Sequence, residues 1–263
     1  MAGRRRTINM EKRIEVTFTP AEFNALADRD LSETVCVVFD VLRATTSMVV
    51  GLANGADSLI PVATIEAAVA VRERRPEVLL AGERNGVRIL ADQSGGVDFD
   101  LGNSPREYTE AAVAGKTIVS TTTNGTRALN ACKGAKAVLI ASMLNLRTTA
   151  NWIEGNEVHN LVLVCAGTYE EAAYEDMIGA GALCDMIWPG FVTGHVADSA
   201  EMARQTYRTM QRDLQSAMQY SRNARRLLTM PDLAEDVRFC MQRETLTTLA
   251  GLNEAGEVVR LEN

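Results

Sequence analysis

Short apolar runs alternate with helical periodicity along almost the whole chain. Ile14 to Phe18 alternates like an edge strand, and Thr19-Pro20 opens a short helix running through Leu26. Cys36, Val37, Val38 and Phe39 form an unbroken apolar run, the pattern of a strand covered on both faces. It stops on Asp40. Thr45 to Asn54 then carries Met48, Val49, Val50 and Leu52 and closes on Asn54-Gly55, which predicts a helix whose start faces that aspartate. Further strands are predicted at Ser58 to Val62, Val78 to Ala81, Lys116 to Ser120, Ala137 to Ala141 and Leu161 to Cys165, with a closing strand at Glu257 to Leu261. Helices are predicted at Thr64 to Arg75, stopped by Pro76, and at Asn145 to Glu154. Ser104-Pro105-Arg106-Glu107 reads as a capping box starting a helix that Gly115 ends. Residues 87–103 are irregular, Asp198 to Leu228 is helical throughout, and Leu233 to Gln242 is a further helix beyond Pro231.

Strands alternating with helices predict an α/β fold, a three-layer α/β/α sandwich with a largely parallel, mixed sheet. No repeat or linker divides it, so residues 14–263 are expected to form a single domain after a basic N-terminal arm, residues 1–13, with Arg4, Arg5, Arg6, Lys12 and Arg13.

Composition narrows the class. At 263 residues with 46% apolar content, the chain is long enough to bury a large core. No apolar run approaches the roughly 18 residues that a membrane span needs, and a cytoplasmic protein without a membrane partner is expected. Five widely spaced cysteines without a C-x-x-C pair read as buried thiols rather than zinc ligands or disulfides. A net charge of −7 argues against a nucleic-acid partner and requires local arginines to meet any anionic ligand. A homodimer is left open.

Candidate chemistry collects where strands end. Asp40 with Arg43, Glu83 with Arg84 and Asn85, Thr122 with Asn124 and Arg127, and Cys165-Ala166-Gly167 with Glu175 and Asp176 beyond it all follow strands. Ligands of open α/β sheets bind at the carboxyl ends of strands, so these clusters are expected to converge. Asp40 favours a cation and the following helix start an anion, which fits either a metal-plus-phosphate site or a salt bridge between Asp40 and Arg43. Other chemistries lack their residues. His159 and His195 sit in no metal motif, no cysteine precedes an arginine by six positions, and Gly115-Lys116-Thr117 lacks the first P-loop glycine, being preceded by Glu110. Leu42 stands where haloacid-dehalogenase phosphatases have a second aspartate. Carboxylates, arginines and hydroxyls remain, a set suited to magnesium and phosphate.

Phe39-Asp40-Val41-Leu42-Arg43-Ala44-Thr45-Thr46, Ala81-Gly82-Glu83-Arg84-Asn85-Gly86, Phe99-Asp100-Leu101-Gly102-Asn103-Ser104-Pro105, Thr121-Thr122-Thr123-Asn124-Gly125-Thr126-Arg127, Cys165-Ala166-Gly167 and Glu175-Asp176 occur in this order. The series resembles the 2-phosphosulfolactate phosphatases over about residues 14 to 250. The resemblance implies a magnesium-dependent phosphatase that releases phosphate from 2-phospho-3-sulfolactate, a small anionic substrate, on the route to coenzyme M. For such a reaction Mg²⁺ is expected to be held by Asp40, Glu83, Glu175 and Asp176 in some combination, with Asp40, Arg43 and Arg127 as catalytic residues. Thr45, Arg84, Asn85, Asn103, Ser104, Thr122, Thr123, Asn124 and Gly125 would bind substrate, with Arg84 and the Asn103-Ser104 helix start meeting its carboxylate and sulfonate. Two positions depart from the family pattern: Glu170 and Ala224 stand where glycines are usual. A phosphatase acting on another small phosphorylated acid, a phosphoryl transferase, and a non-catalytic binding protein for such acids are the alternatives. The last gains nothing from carboxylates that repel its ligand unless a cation intervenes.

Overall fold

A computed structural model of the chain describes residues 11–262. Most of the expected basic arm therefore lies outside the described residues, and its last member, Arg13, begins a strand. The strands are β1 (Arg13–Thr17), β2 (Thr34–Phe39), β3 (Ser58–Pro61), β4 (Leu79–Arg84), β5 (Val87–Arg88), β6 (Thr117–Thr121), β7 (Ala137–Ala141), β8 (Asn160–Cys165), β9 (His195–Val196), β10 (Ala250–Leu252) and β11 (Val258–Arg260). They form one mixed sheet in the order β5-β4-β6-β3-β11-β10-β7-β2-β8-β1-β9. With helices on both faces, this is the expected α/β sandwich.

The sheet has two parallel blocks, β4-β6-β3 and β7-β2-β8-β1-β9, joined by the antiparallel hairpin β10-β11. β10 pairs with β7 and β11 with β3, both antiparallel. Counted through these three antiparallel pairings, the blocks point in opposite senses. Twist of about 20 to 25° per strand, larger in a two-stranded ribbon, turns one block across the other. Their carboxyl ends meet: Asn124, just after β6, donates to the carbonyl of Ala166, just after β8, at 3.0 Å.

Alternation along the strands sorts the core. Cys36 and Val38 of β2 face the same apolar cluster as Ala81 of β4 and Ile118 of β6, so this core spans both blocks. Val35, Val37 and Phe39 face the opposite core, packed by the Leu146–Gly155, Tyr174–Ile187 and Asp198–Met210 helices. Leu80 and Val119 face a third, smaller core under the Ile65–Arg74 helix. Nine of the ten residues of the Ala44–Ala53 helix are buried. Such a helix has no polar stripe because no side of it meets water.

Several expectations are corrected, the first being that residues 87–103, expected to be irregular, hold β5 and a short helix, Ala91–Ser94. β1 is flanked by β9 as well as β8, so the edge is the two-residue β9. The helix expected from Ser104 to Gly115 splits into a 3₁₀ turn, Pro105–Glu107, and a short helix, Glu110–Val113. Glu107 turns away from the Ser104 end and accepts from the Gly102 N–H at 2.7 Å, so the capping box does not form. The stretch 198–228 breaks after Met210, where Asp213 and Ser221 accept from backbone N–H groups and start new helices at Leu214–Ala217 and Arg222–Leu228. No helix among the described residues is long and apolar enough to cross a membrane.

Candidate active site

β2 delivers Asp40 to the junction of the two blocks, beside the start of the buried Ala44–Ala53 helix. Asp40 Oδ1 accepts from the Ala44 N–H at 3.1 Å, and the Asp40 N–H donates to Thr45 Oγ1 at 3.0 Å. Asp40 is thus the anion that this helix start was expected to attract, and Thr45 holds its backbone rather than facing a ligand. Asp40 Oδ2 has no hydrogen-bond partner among the described residues. Burial, then the neighbouring Glu83 and Glu175, push the Asp40 carboxyl up to about 7, against the opposing pull of Arg43 and the Ala44 amide. Asp176, buried next to Glu175 and Asp40, is also held well above the usual carboxylate range.

Eight of the residues expected at the site line one cleft: Asp40, Arg43, Glu83, Asn85, Asn103, Thr122, Thr123 and Asn124. Gly125 packs against its wall, where a Cβ would stand 2.8 Å from Asp40 Oδ2 and 2.9 Å from the Ala44 Cβ. Arg43 is 3% exposed, and the salt bridge with Asp40 that stood as the alternative to a metal-plus-phosphate site is not made; Arg43 pairs with Asp236, Nη1 to Oδ2 at 2.6 Å. Its Nη2 donates to the Gly86 carbonyl at 2.5 Å. Asp236 also accepts from Ser104 Oγ at 2.7 Å and Arg106 Nε at 3.1 Å. Ser104 is therefore committed to this network and does not line the cleft.

Arg84 and Arg127 do not line it either. β4 runs on through Gly82, Glu83 and Arg84 instead of ending at Ala81. Neighbours in a strand point to opposite faces, so bringing Glu83 to the cleft turns Arg84 away. Arg84 bonds Thr121 Oγ1 at 3.1 Å and the Glu83 carbonyl at 2.7 Å. Arg127 is ion-paired with Glu170 at 2.7 Å.

The four expected metal-binding carboxylates do not assemble as one cluster, and no three His, Cys, Asp or Glu side chains do so among the described residues. Glu83 accepts at Oε1 from the Thr123 N–H and Oγ, at 3.1 and 2.9 Å, and at Oε2 from the Gly86 N–H at 2.7 Å. Glu175 accepts from Ser221 Oγ at 2.6 Å and Asn223 Nδ2 at 3.1 Å. Asp176 accepts from the Val41 and Gly167 N–H groups at 2.8 and 3.0 Å. Asp40 alone keeps an oxygen unclaimed. A second unclaimed oxygen belongs to Asn124, whose Nδ2 is fixed on the Ala166 and Tyr169 carbonyls, leaving its buried Oδ1 without a partner among the described residues.

The comparisons with known proteins point the same way. The profile of the 2-phosphosulpholactate phosphatase family matches residues 21–255. The chain belongs to that family. A protein of Symbiobacterium thermophilum named "Probable 2-phosphosulfolactate phosphatase" is 37% identical over 249 residues, 94% of this chain and 100% of its own length. Proteins of the same name from Caldanaerobacter subterraneus subsp. tengcongensis and Clostridium acetobutylicum are 37% and 34% identical, each over 83% of this chain and 88% and 89% of their own lengths. The 2-phosphosulfolactate phosphatases are phosphoric monoester hydrolases, and that class fits the cleft's carboxylates, amides and arginines. The two departures from the family pattern now have structural accounts. Glu170 occupies Arg127, and Ala224 is buried at the helix start where Ser221 Oγ accepts from its N–H at 2.9 Å.

Sequence reasoning missed Asp236, Asn223, Arg226 and Tyr169. Asp236 stands in a charged helical segment that reads as a solvated face. Asn223 and Arg226 follow Ser221, whose capping role was the available signal.

Proposed function

We propose that this cleft hydrolyses the phosphate ester of 2-phospho-3-sulfolactate to 3-sulfolactate and phosphate, with Mg²⁺ as cofactor. The observation that carries the reading is the pair of unclaimed oxygens, Asp40 Oδ2 and Asn124 Oδ1, beside the carboxylates of Glu83 and Glu175 and the guanidinium of Arg43. Mg²⁺ is commonly held by one or two protein oxygens and completes its shell with water and substrate phosphate, so two free donors suit it better than a closed cage. Asp40 and Asn124 are the residues that would hold it. When bound, it supplies positive charge to the phosphoryl oxygens and offsets the crowding of carboxylates.

The chain's own residues do the rest. Phosphate monoester hydrolysis needs accelerations of up to about 10²¹-fold, and acid–base help accounts for only about 10² to 10⁴, so charge stabilisation must dominate. Arg43 meets the phosphoryl group from a fixed position, because Asp236 and the Gly86 carbonyl hold its fork before substrate arrives. Asn124, at the start of the Gly125–Ala131 helix, lines the same cleft as Arg43. The Thr122 and Thr123 amides are engaged by Thr126 Oγ1 and Glu83. Two aliphatic side chains, Leu42 and Leu227, line the cleft and limit water at the reacting centre.

A panel of phosphate esters tests the reading. Phosphosulfolactate is expected to release phosphate with kcat/KM at least about 10²-fold above that for phospholactate, which has a methyl group in place of the sulfonate. Equal rates on both would leave a phosphatase of different substrate.

A further inference from the structure

If the substrate carries phosphate and sulfonate, a second cation must meet the second acid. Arg84 was expected there and is turned away from the cleft. Of the arginines lining the cleft, Arg43 is assigned to the phosphoryl group and held in place by Asp236, and Arg226 has no ion pair among the described residues. We infer that Arg226, with Tyr169 and Asn85 beside it, is the sulfonate-reading group of this site, an inference that rests on the phosphatase reading above.

The geometry is that of a held but uncommitted cation. Arg226 sits on the Arg222–Leu228 helix, and its Nη2 donates to Asn223 Oδ1 at 3.2 Å while Nη1 reaches Tyr169 Oη at 3.4 Å. Both partners are neutral, so the charge is oriented but not cancelled. Asn223 is itself fixed by donating to the Leu42 carbonyl at 2.7 Å and to Glu175 at 3.1 Å. This ties the position of Arg226 to the Asp40–Arg43 loop. Tyr169 Oη also lies 3.4 Å from Asn85 Oδ1, so the phenol links Arg226 to Asn85 along the cleft lining. Asn85 and Tyr169 have φ of 55 and 56°, the left-handed region, and their side chains meet each other, with Tyr169 also reaching Arg226. A sulfonate offers three equivalent acceptor oxygens, and the guanidinium, the phenol and the Asn85 carboxamide can each donate to one. The 3.4 Å contacts between them are long enough to be exchanged for shorter charge-assisted bonds. In a protein of net charge −7, an uncancelled cation is also what draws a multiply charged anion into a cleft that holds Asp40 and Glu83.

Calorimetric binding of 3-sulfolactate and of lactate in Mg²⁺ separates this role from catalysis. Wild type is expected to prefer sulfolactate by roughly 10- to 100-fold, the equivalent of about one charge-assisted bond. Arg226→Gln is expected to reduce that preference to within about threefold, and Arg226→Lys, which restores the charge without the fork, to recover part of it. Arg84→Gln should leave the preference standing. A preference retained in Arg226→Gln, absent from wild type, or abolished by Arg84→Gln would overturn the inference. Failure of wild type to release phosphate from phosphosulfolactate would sink the phosphatase reading instead, because the binding preference is measured without turnover.

Discussion

Asp40 concentrates the account at the scale of single residues. Asp40→Asn keeps an oxygen to accept from the Ala44 amide and removes a buried charge crowded by Glu83 and Glu175. Thermal unfolding in chelator is therefore expected to show a Tm equal to or above that of wild type, whereas a drop of several degrees would mean that Asp40 is structural. Asp236 is the opposite case, fully buried and neutralising a buried arginine. Asp236→Ala should cost about 3 to 5 kcal/mol in denaturant unfolding, the usual effect of leaving a buried charge alone, and should lower kcat through the freed Arg43. A loss under about 1 kcal/mol would contradict the role assigned to it. These residues differ in how far sequence revealed them. Asp40 was legible because a carboxylate that halts an apolar strand is anomalous on its face. Asp236 was not, because its partners Arg43 and Ser104 lie more than 130 positions away and helical charge is ordinarily solvated.

Among the elements, the Ala44–Ala53 and Gly125–Ala131 helices start against each other with no room for a side chain between them. Gly125→Ala would press its methyl on Asp40 Oδ2 and Ala44, and is expected to destabilise the fold by about 1 to 3 kcal/mol and to reduce phosphate release by more than tenfold. Wild-type activity in that variant would show that the contact yields freely. Strand and helix identities came through in the sequence wherever apolar period was strong, as in β2 and the helix after it. The ends did not, because short polar side chains decide them locally: Asp213 and Ser221 restart helices inside an unbroken helical period, and Glu107 bonds Gly102 instead of Ser104. The extension of β4 by three residues had the largest consequence. It reversed the face of Arg84 and left the second-anion role to Arg226.

For the whole molecule, the α/β class followed from the alternation of periods, but the arrangement of the sheet did not. Nothing local tells β10 and β11 to bridge two parallel blocks, since the pairing of β10 with β7 joins residues more than 100 positions apart. The hairpin is the connection between the blocks whose carboxyl ends form the cleft. A chain truncated before Ala250 exposes the edges of β7 and β3 and is expected to lose cooperative unfolding, read by circular dichroism on heating. A sharp wild-type transition in the truncated chain would show that the blocks hold together without it. What the two blocks jointly build is a cleft with two free oxygens at Asp40 and Asn124, and the claim that these serve metal-dependent phosphate release is tested most directly by one assay. Phosphate liberated from 2-phospho-3-sulfolactate is followed for wild type with Mg²⁺, for wild type after exhaustive chelation, and for Asp40→Asn with Mg²⁺. The account predicts turnover in the first case only, with losses of at least about 10³-fold in the other two and recovery of the chelated enzyme on adding Mg²⁺ back. Full activity after chelation, or in folded Asp40→Asn, would contradict it.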